Sequence, residues 1–166
     1  MNKTPSVQSA LKFRQAEPAD YLAICQLVTC AEELYKIYPS GRYPLTGRQL
    51  AQIASQRTAL TVGSINERII GFANLYRYHP NYSAFIGNVI IDQQYRGQGL
   101  GRQLIQHMID TGFDEHQLQH LNISVFCDNT PALLLYHDLG FIPYAIEQRT
   151  DKRNTKMALL HLRLNR

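Results

Sequence analysis

The segment Arg96-Gly97-Gln98-Gly99-Leu100-Gly101-Arg102 follows the apolar run Ile86 to Ile91 and precedes Leu104, Ile105, Met108 and Ile109, which are spaced for one face of a helix. Three alternating glycines between a strand and a helix constrain this chain more than any other feature. Lacking Cβ atoms, they let the backbone turn sharply and come close to a ligand, while the first free N–H groups of the helix and its positive dipole end face an anion. A phosphate or pyrophosphate is the natural guest. Arg96 and Arg102 add charge worth ~1.5–3 kcal/mol per well-placed charged hydrogen bond. A P-loop would need Lys-Ser/Thr after its last glycine, where this sequence has Arg102-Gln103. A dinucleotide fingerprint would need Gly-x-Gly-x-x-Gly in the first βα unit, whereas the spacing here is Gly97-x-Gly99-x-Gly101, late in the chain.

The rest of the pattern gives the turn its surroundings. Leu11 to Ala16 alternates apolar and polar as a half-buried strand does, and Glu17-Pro18-Ala19-Asp20 reads as a helix entry. Leu22, Ile24, Leu27, Val28, Ala31 and Leu34 then form one apolar face over about four turns, until Tyr38-Pro39-Ser40-Gly41 stops the helix. Thr46-Gly47-Arg48-Gln49 has the form of a capping box opening a second helix to about Gln56. Residues 59–65 and 68–78 read as a hairpin turning at Asn66-Glu67, and residues 84–92 as a central strand. A helix to about Gly112, a strand at 121–126, a helix at 130–139 and strands at 141–149 and 155–164 complete the order β-α-α-β-β-β-α-β-α-β-β. The expected architecture is α/β, one mixed, mostly antiparallel sheet of about seven strands flanked by about four helices.

A chain of 166 residues suits one ordinary domain, here expected over residues 10–166 behind a short tail at 1–9. With 45% apolar and 18% charged residues it is globular rather than disordered. The start lacks an apolar signal region, and no stretch approaches the roughly 18 apolar residues of a membrane span, so neither export nor a membrane is expected. Cys25, Cys30 and Cys127 form no CxxC pair, which argues against disulfides and zinc and for a reducing, cytoplasmic setting with buried apolar thiols. His116 and His120 lie in a polar connection without a third ligand nearby, and no metal is expected. The net charge of +4 arises in residues 1–83, with 9 Lys/Arg against 5 Asp/Glu. That excess could attract an anionic cofactor or substrate, but no basic tract with interleaved aromatics points to nucleic acid.

Val89-Ile90-Ile91-Asp92-Gln93-Gln94-Tyr95-Arg96-Gly97-Gln98-Gly99-Leu100-Gly101 resembles the acetyl-CoA-binding motif of the GNAT N-acetyltransferase superfamily, with Arg96, Gly99 and Gly101 on its Arg/Gln-x-x-Gly-x-Gly/Ala core. Asn129-Thr130-Pro131-Ala132-Leu133-Leu134-Leu135-Tyr136-His137-Asp138-Leu139-Gly140-Phe141 is similar to its second segment. The resemblance implies acetyl-CoA as cosubstrate. Backbone N–H groups of Arg96, Gly97, Gln98, Gly99, Leu100, Gly101 and Arg102 would hold the pyrophosphate, and the main chain of Val89, Ile90 and Ile91 would pair with the pantetheine arm beside a splayed strand. A backbone N–H near Ile91 would stabilise the oxyanion, Asn129 would contact CoA, and Tyr136 would stand near the thioester sulfur. The acceptor would be a small-molecule amine or a peptide or protein amine; the resemblance alone also allows a homodimer.

A phenol with pKa near ~10 is protonated at neutral pH, which makes Tyr136 a suitable general acid for the departing thiolate. The acceptor needs a base, since only about one alkylamine in 10³ is neutral at pH 7, a cost of ~4–5 kcal/mol. Many family members carry a Glu near the splayed strand, where this chain has Ile86-Gly87-Asn88. Asp92, Glu33, His79 and water relayed through Tyr76 or Tyr78 are the candidates. Substrate selection would fall to residues 32–45 and the end of the third strand, where Glu33, Tyr35, Tyr38, Tyr43, Tyr76 and Tyr78 gather; the tyrosines fit an amine pocket or ordinary element edges alike. The other class of function open to such a chain is a non-catalytic acyl-CoA-binding or sensing module.

Overall fold

The computed structural model describes residues 11–166, so the tail expected at 1–9 lies outside the described residues. The elements run β1 (Lys12–Gln15), α1 (Tyr21–Gln26), α2 (Ala31–Ile37), α3 (Gly47–Gln56), β2 (Thr58–Ile65), β3 (Arg68–His79), β4 (Ser83–Ile91), α4 (Leu100–Asp110), β5 (His120–Phe126), α5 (Thr130–Asp138), β6 (Ile142–Thr150) and β7 (Lys156–Asn165). All seven strands form one sheet in the order β1-β2-β3-β4-β5-β7-β6. Only the β4–β5 pair is parallel, so the sheet is mixed and mostly antiparallel as the sequence pattern implies.

Apolar side chains cover both faces. On one, Leu104, Ile105 and Met108 of α4 and Tyr136 of α5 pack with Ile70, Leu75, Ile86 and Leu121 of the sheet. On the other, Ile24, Leu34, Leu50 and Ile53 of α1 to α3 pack with Val62, Phe72 and Ile90. β4 serves both cores, with Ile86 and Ile91 in the first and Ile90 in the second, which accounts for the apolar residues that flank Gly87 and Asn88. No helix among the described residues is long and apolar enough to cross a membrane.

The single helix expected from Leu22 to Leu34 is two helices, making five among the described residues in place of about four. Cys30 takes an extended backbone (φ −153°, ψ 166°) to start α2, and the Glu33 carboxylate accepts from Thr29 N at 2.8 Å and Thr29 Oγ1 at 3.1 Å. The first of these bonds satisfies the Thr29 N–H just before the new helix, a donor that a continuous helix would pair with its own backbone. The break redirects α2 against β4, and leaves Leu22, assigned above to the apolar face, 70% exposed. The expectation of three buried thiols also fails: Cys25 is buried, but Cys30 and Cys127 are exposed.

β4 and β5 pair only from Ser83 to Ile86 against His120 to Ile123, then part. Just beyond, the β3–β4 register slips between Asn74↔Gly87 and Phe72↔Ile90, placing one extra residue in β4. Asn88 stands there with φ +49°, a left-handed conformation that asparagine tolerates better than most residues. Its side chain joins three elements: Oδ1 accepts from Asn74 Nδ2 of β3 at 2.8 Å, and Nδ2 donates to the Ile37 carbonyl ending α2 at 2.8 Å. Asn88→Gly keeps the backbone permissible but strands buried polar groups, and a loss of about 1–3 kcal/mol is expected. Urea unfolding checks this; an unchanged midpoint would contradict the structural role.

Candidate active site

Where β4 and β5 part, two adjoining cavities open along β4. The larger, about 730 Å³, runs from the glycine turn past α2 to α5 and is lined by Glu33, Val89 to Ile91, Arg96, Gly97, Gly101, Asn129 and Tyr136. The second, about 410 Å³, is lined by Tyr38, Arg57, Tyr76, Arg77, Ser124, Arg149 and His161 among others. Lys36, Ile37, Val89, Asn129 and Tyr136 border both.

The glycine turn has the form its sequence implies. Gly97 and Gly99 both take positive φ, +73° and +80°, and Gly99 caps the 11-residue helix α4. A side chain at Gly99 would strain this left-handed turn, and the first N–H groups of α4 beyond it are free of intrahelical partners. Leu100 is buried as the anchor of the helix start. Gln98 Nε2 donates to the Gln94 carbonyl at 3.2 Å, tightening the turn. Arg102 meets Asp138 of α5 at 3.3 Å on the surface. Arg96 does more than add charge: Nε donates to the Ile91 carbonyl at 2.9 Å, and Nη2 pairs with Glu33. The turn is thereby tied to both β4 and α2.

The β4 edge is suited to accept an added strand. Asp92 N donates to the Ile70 carbonyl at 2.7 Å, so the N–H of Ile91 faces the opposite way by strand alternation, toward the cleft. Arg96 already holds the Ile91 carbonyl, leaving the Ile91 N–H as the polar group offered there. These features fit a pantetheine arm on β4 and a pyrophosphate at the turn.

Tyr136 is 6% exposed and packs against Phe141, 6.2 Å between ring centroids. Among the described residues nothing accepts a hydrogen bond from its hydroxyl. Burial pushes the phenol well above its ordinary range, so the proton stays in place at all moderate pH. Asn129 caps α5, accepting from Ala132 N at 3.4 Å, which fixes it between the two cavities.

The candidate bases named from the sequence do not gather at the smaller cavity. Glu33 lines the larger cavity and is held by Arg96 and Thr29. Asp92 accepts from Gln94 N at 2.9 Å and pairs with Arg68 at 2.8 Å, away from both cavities. His79 ends β3 on the exposed surface. Tyr38 and Tyr76 do line the smaller cavity. Tyr35 instead donates to the Thr150 carbonyl at 3.2 Å and Tyr78 meets His116 Nδ1 at 3.0 Å, neither on a cavity wall.

Sequence reading missed three residues that the sheet brings together. Ser124 Oγ of β5 lies 2.7 Å from His161 Nδ1 of β7, and His161 Nε2 lies 3.1 Å from Glu147 Oε2 of β6. A carboxylate only accepts, so Nε2 carries a hydrogen, and in the neutral imidazole Nδ1 accepts from the Ser124 hydroxyl. The hydrogen bond from His161 and the nearby Arg149 guanidinium hold the Glu147 carboxyl below its ordinary range. Ser124 and His161 line the smaller cavity with Tyr136. Burial lowers the Arg57 guanidinium from the ordinary arginine range, though it remains a cation.

The model of the acetyltransferase (GNAT) family matches residues 24–141. The [ribosomal protein bS18]-alanine N-acetyltransferase of Escherichia coli K12 is 38% identical over 71 residues, 43% of this chain and 44% of that protein, so the similar stretch spans under half of the relative. The solved ribosomal-protein-S18-alanine N-acetyltransferase from Escherichia coli superposes with a TM-score of 0.75 at 21% identity, over 93% of each chain. The spermidine N-acetyltransferase from Vibrio cholerae, in complex with CoA and spermine, gives 0.79 at 20% identity over 95% of this chain and 96% of that one. At such identities the likeness is one of fold.

Gly99→Val should weaken acetyl-CoA binding at least tenfold by straining the turn, about 1.4 kcal/mol or more. Calorimetric titration checks this; equal affinity in a folded variant would remove the turn from the cofactor site.

Proposed function

The chain belongs to the acetyltransferase (GNAT) family, and on that premise we propose that residues 10–166 form an N-acetyltransferase domain moving an acetyl group from acetyl-CoA directly to a primary amine. The observation that supports this most directly is the pair of cavities meeting at Val89, Asn129 and Tyr136 where the sheet parts. One cavity suits the cosubstrate and the other the acceptor. An amine can then reach the thioester without a covalent acetyl-protein stage.

Each group has a role in that transfer. The backbone from Arg96 to Arg102 binds the pyrophosphate with the start of α4. The Ile91 N–H offers a hydrogen bond to the thioester oxygen, an effect of ~2.7–4 kcal/mol per donor in other acyl transfers. The Ser124 hydroxyl takes a proton from the attacking amine while passing its own to His161 Nδ1, and Glu147 stabilises the resulting imidazolium. The C–N bond forms, the C–S bond breaks, and the thiolate receives the Tyr136 proton. Return of the proton from His161 to Tyr136 through solvent closes the cycle. A sensing module would not need such a relay on the acceptor side.

Tyr136→Phe should lower kcat by about 10²–10⁴ while acetyl-CoA affinity holds, measured by amine-dependent thiol release and by calorimetry. Undiminished turnover would remove the acid role. His161→Gln, which retains an amide near Ser124 and Glu147 but cannot take the proton, should lower kcat by about 10²-fold or more with KM nearly unchanged. A rise in KM alone would assign His161 to binding instead.

A further inference from the structure

Arg57 leaves the C-terminal cap of α3 and lays its guanidinium 4.3 Å from the centroid of the Tyr76 ring. Gly87 of β4 makes this stack possible: a Cβ there would stand 2.6 Å from Tyr76 Cδ1 and 3.3 Å from Arg57 Nη1. The pair thus rests directly on the backbone of the strand that carries Val89. Arg77 lies beside it, its guanidinium 5.6 Å from the Phe85 centroid. Among the described residues no carboxylate forms an ion pair with Arg57 or Arg77, whereas Lys36 has Asp128 and Arg149 has Glu147.

The smaller cavity is therefore lined by four basic side chains, Lys36, Arg57, Arg77 and Arg149, and by no Asp or Glu. Removing a guanidinium from water without an acid partner is costly, and a bound oxyanion offsets that cost while fixing the ligand's direction. A polyamine would bring further positive charge into the same space.

Building on the acetyltransferase reading, we propose that the acceptor is a small primary amine that also carries a carboxylate, held by the Tyr76-stacked Arg57 with Arg77 beside it. The amine end then lies toward Ser124 and Tyr136, the other wall of the cavity. A volume of about 410 Å³ accepts a ligand of amino-acid size whole. Arg57 acts as a specificity-determining residue and takes no part in proton transfer.

The test is equilibrium titration of CoA-saturated protein, which cannot turn over. The probes are 4-aminobutyrate and L-methionine, each against its own carboxamide, with spermidine as a third class. The carboxylates should bind roughly 10–100-fold more tightly than their amides, the size of one charge-assisted hydrogen bond. Arg57→Gln should bring the carboxylates to the level of the amides, leaving the amides and CoA binding unchanged; unchanged CoA affinity also shows that the variant is folded. Gly87→Ala, which displaces Tyr76 and Arg57 without altering charge, should produce a partial loss of the same preference. Amides binding as well as acids, spermidine binding best, no probe binding at all, or Arg57→Gln weakening acids and amides equally would each overturn the proposal. Failure of the wild type to bind CoA would appear in the first titration and would remove the acetyltransferase reading along with it.

Discussion

The parting of β4 from β5 after Ile86 and Ile123 is the constraint on which the rest of the molecule turns. Unpaired strand edges inside a sheet leave backbone groups without partners, and such groups are costly unless something satisfies them. Here the cost is met piecemeal. Asn88 ties the extra residue of β4 to β3 and to the end of α2, and Arg96 caps the Ile91 carbonyl. The Ile91 N–H is left facing the cleft. A single local defect thus supplies both a cavity and a polar strand edge beside it, the two features on which the proposed pantetheine site rests.

Charge is distributed to match that division. Arg96 and Glu33 close on each other at the wall of the larger cavity and bind α2 to the glycine turn. Around the smaller cavity the basic side chains outnumber their acid partners, leaving Arg57 stacked on Tyr76 at the wall. Tyr136 stands between, its phenol kept protonated by burial and so able to donate a hydrogen bond into the space the two cavities share. The basic excess of the first half of the sequence is, in part, this wall.

Features carried by neighbours in sequence were legible, and features made by tertiary contact were not. The glycine turn, the β2–β3 hairpin and the Asn129 to Phe141 segment each hold their conformation through local geometry, and their positions follow from the residues alone. The break before α2 could not be read, because Leu22 to Leu34 keep helical spacing throughout; what stabilises the break is Glu33, reaching back to Thr29 and across to Arg96, 63 residues away. Ser124, His161 and Glu147 were invisible for the same reason. They lie on three strands that become neighbours only because β7 inserts between β5 and β6. Nor does any local pattern foretell that Arg57, at a helix end, lands on Tyr76.

Amide hydrogen exchange, resolved to single residues with and without acetyl-CoA, tests most directly whether the parted strands are the cosubstrate site. Slowed exchange at Val89, Ile91 and the amides from Gly97 to Arg102, with β6 and β1 unaffected, is the expected result. Unchanged exchange along β4 and the glycine turn under saturating acetyl-CoA, or protection concentrated elsewhere, would contradict it.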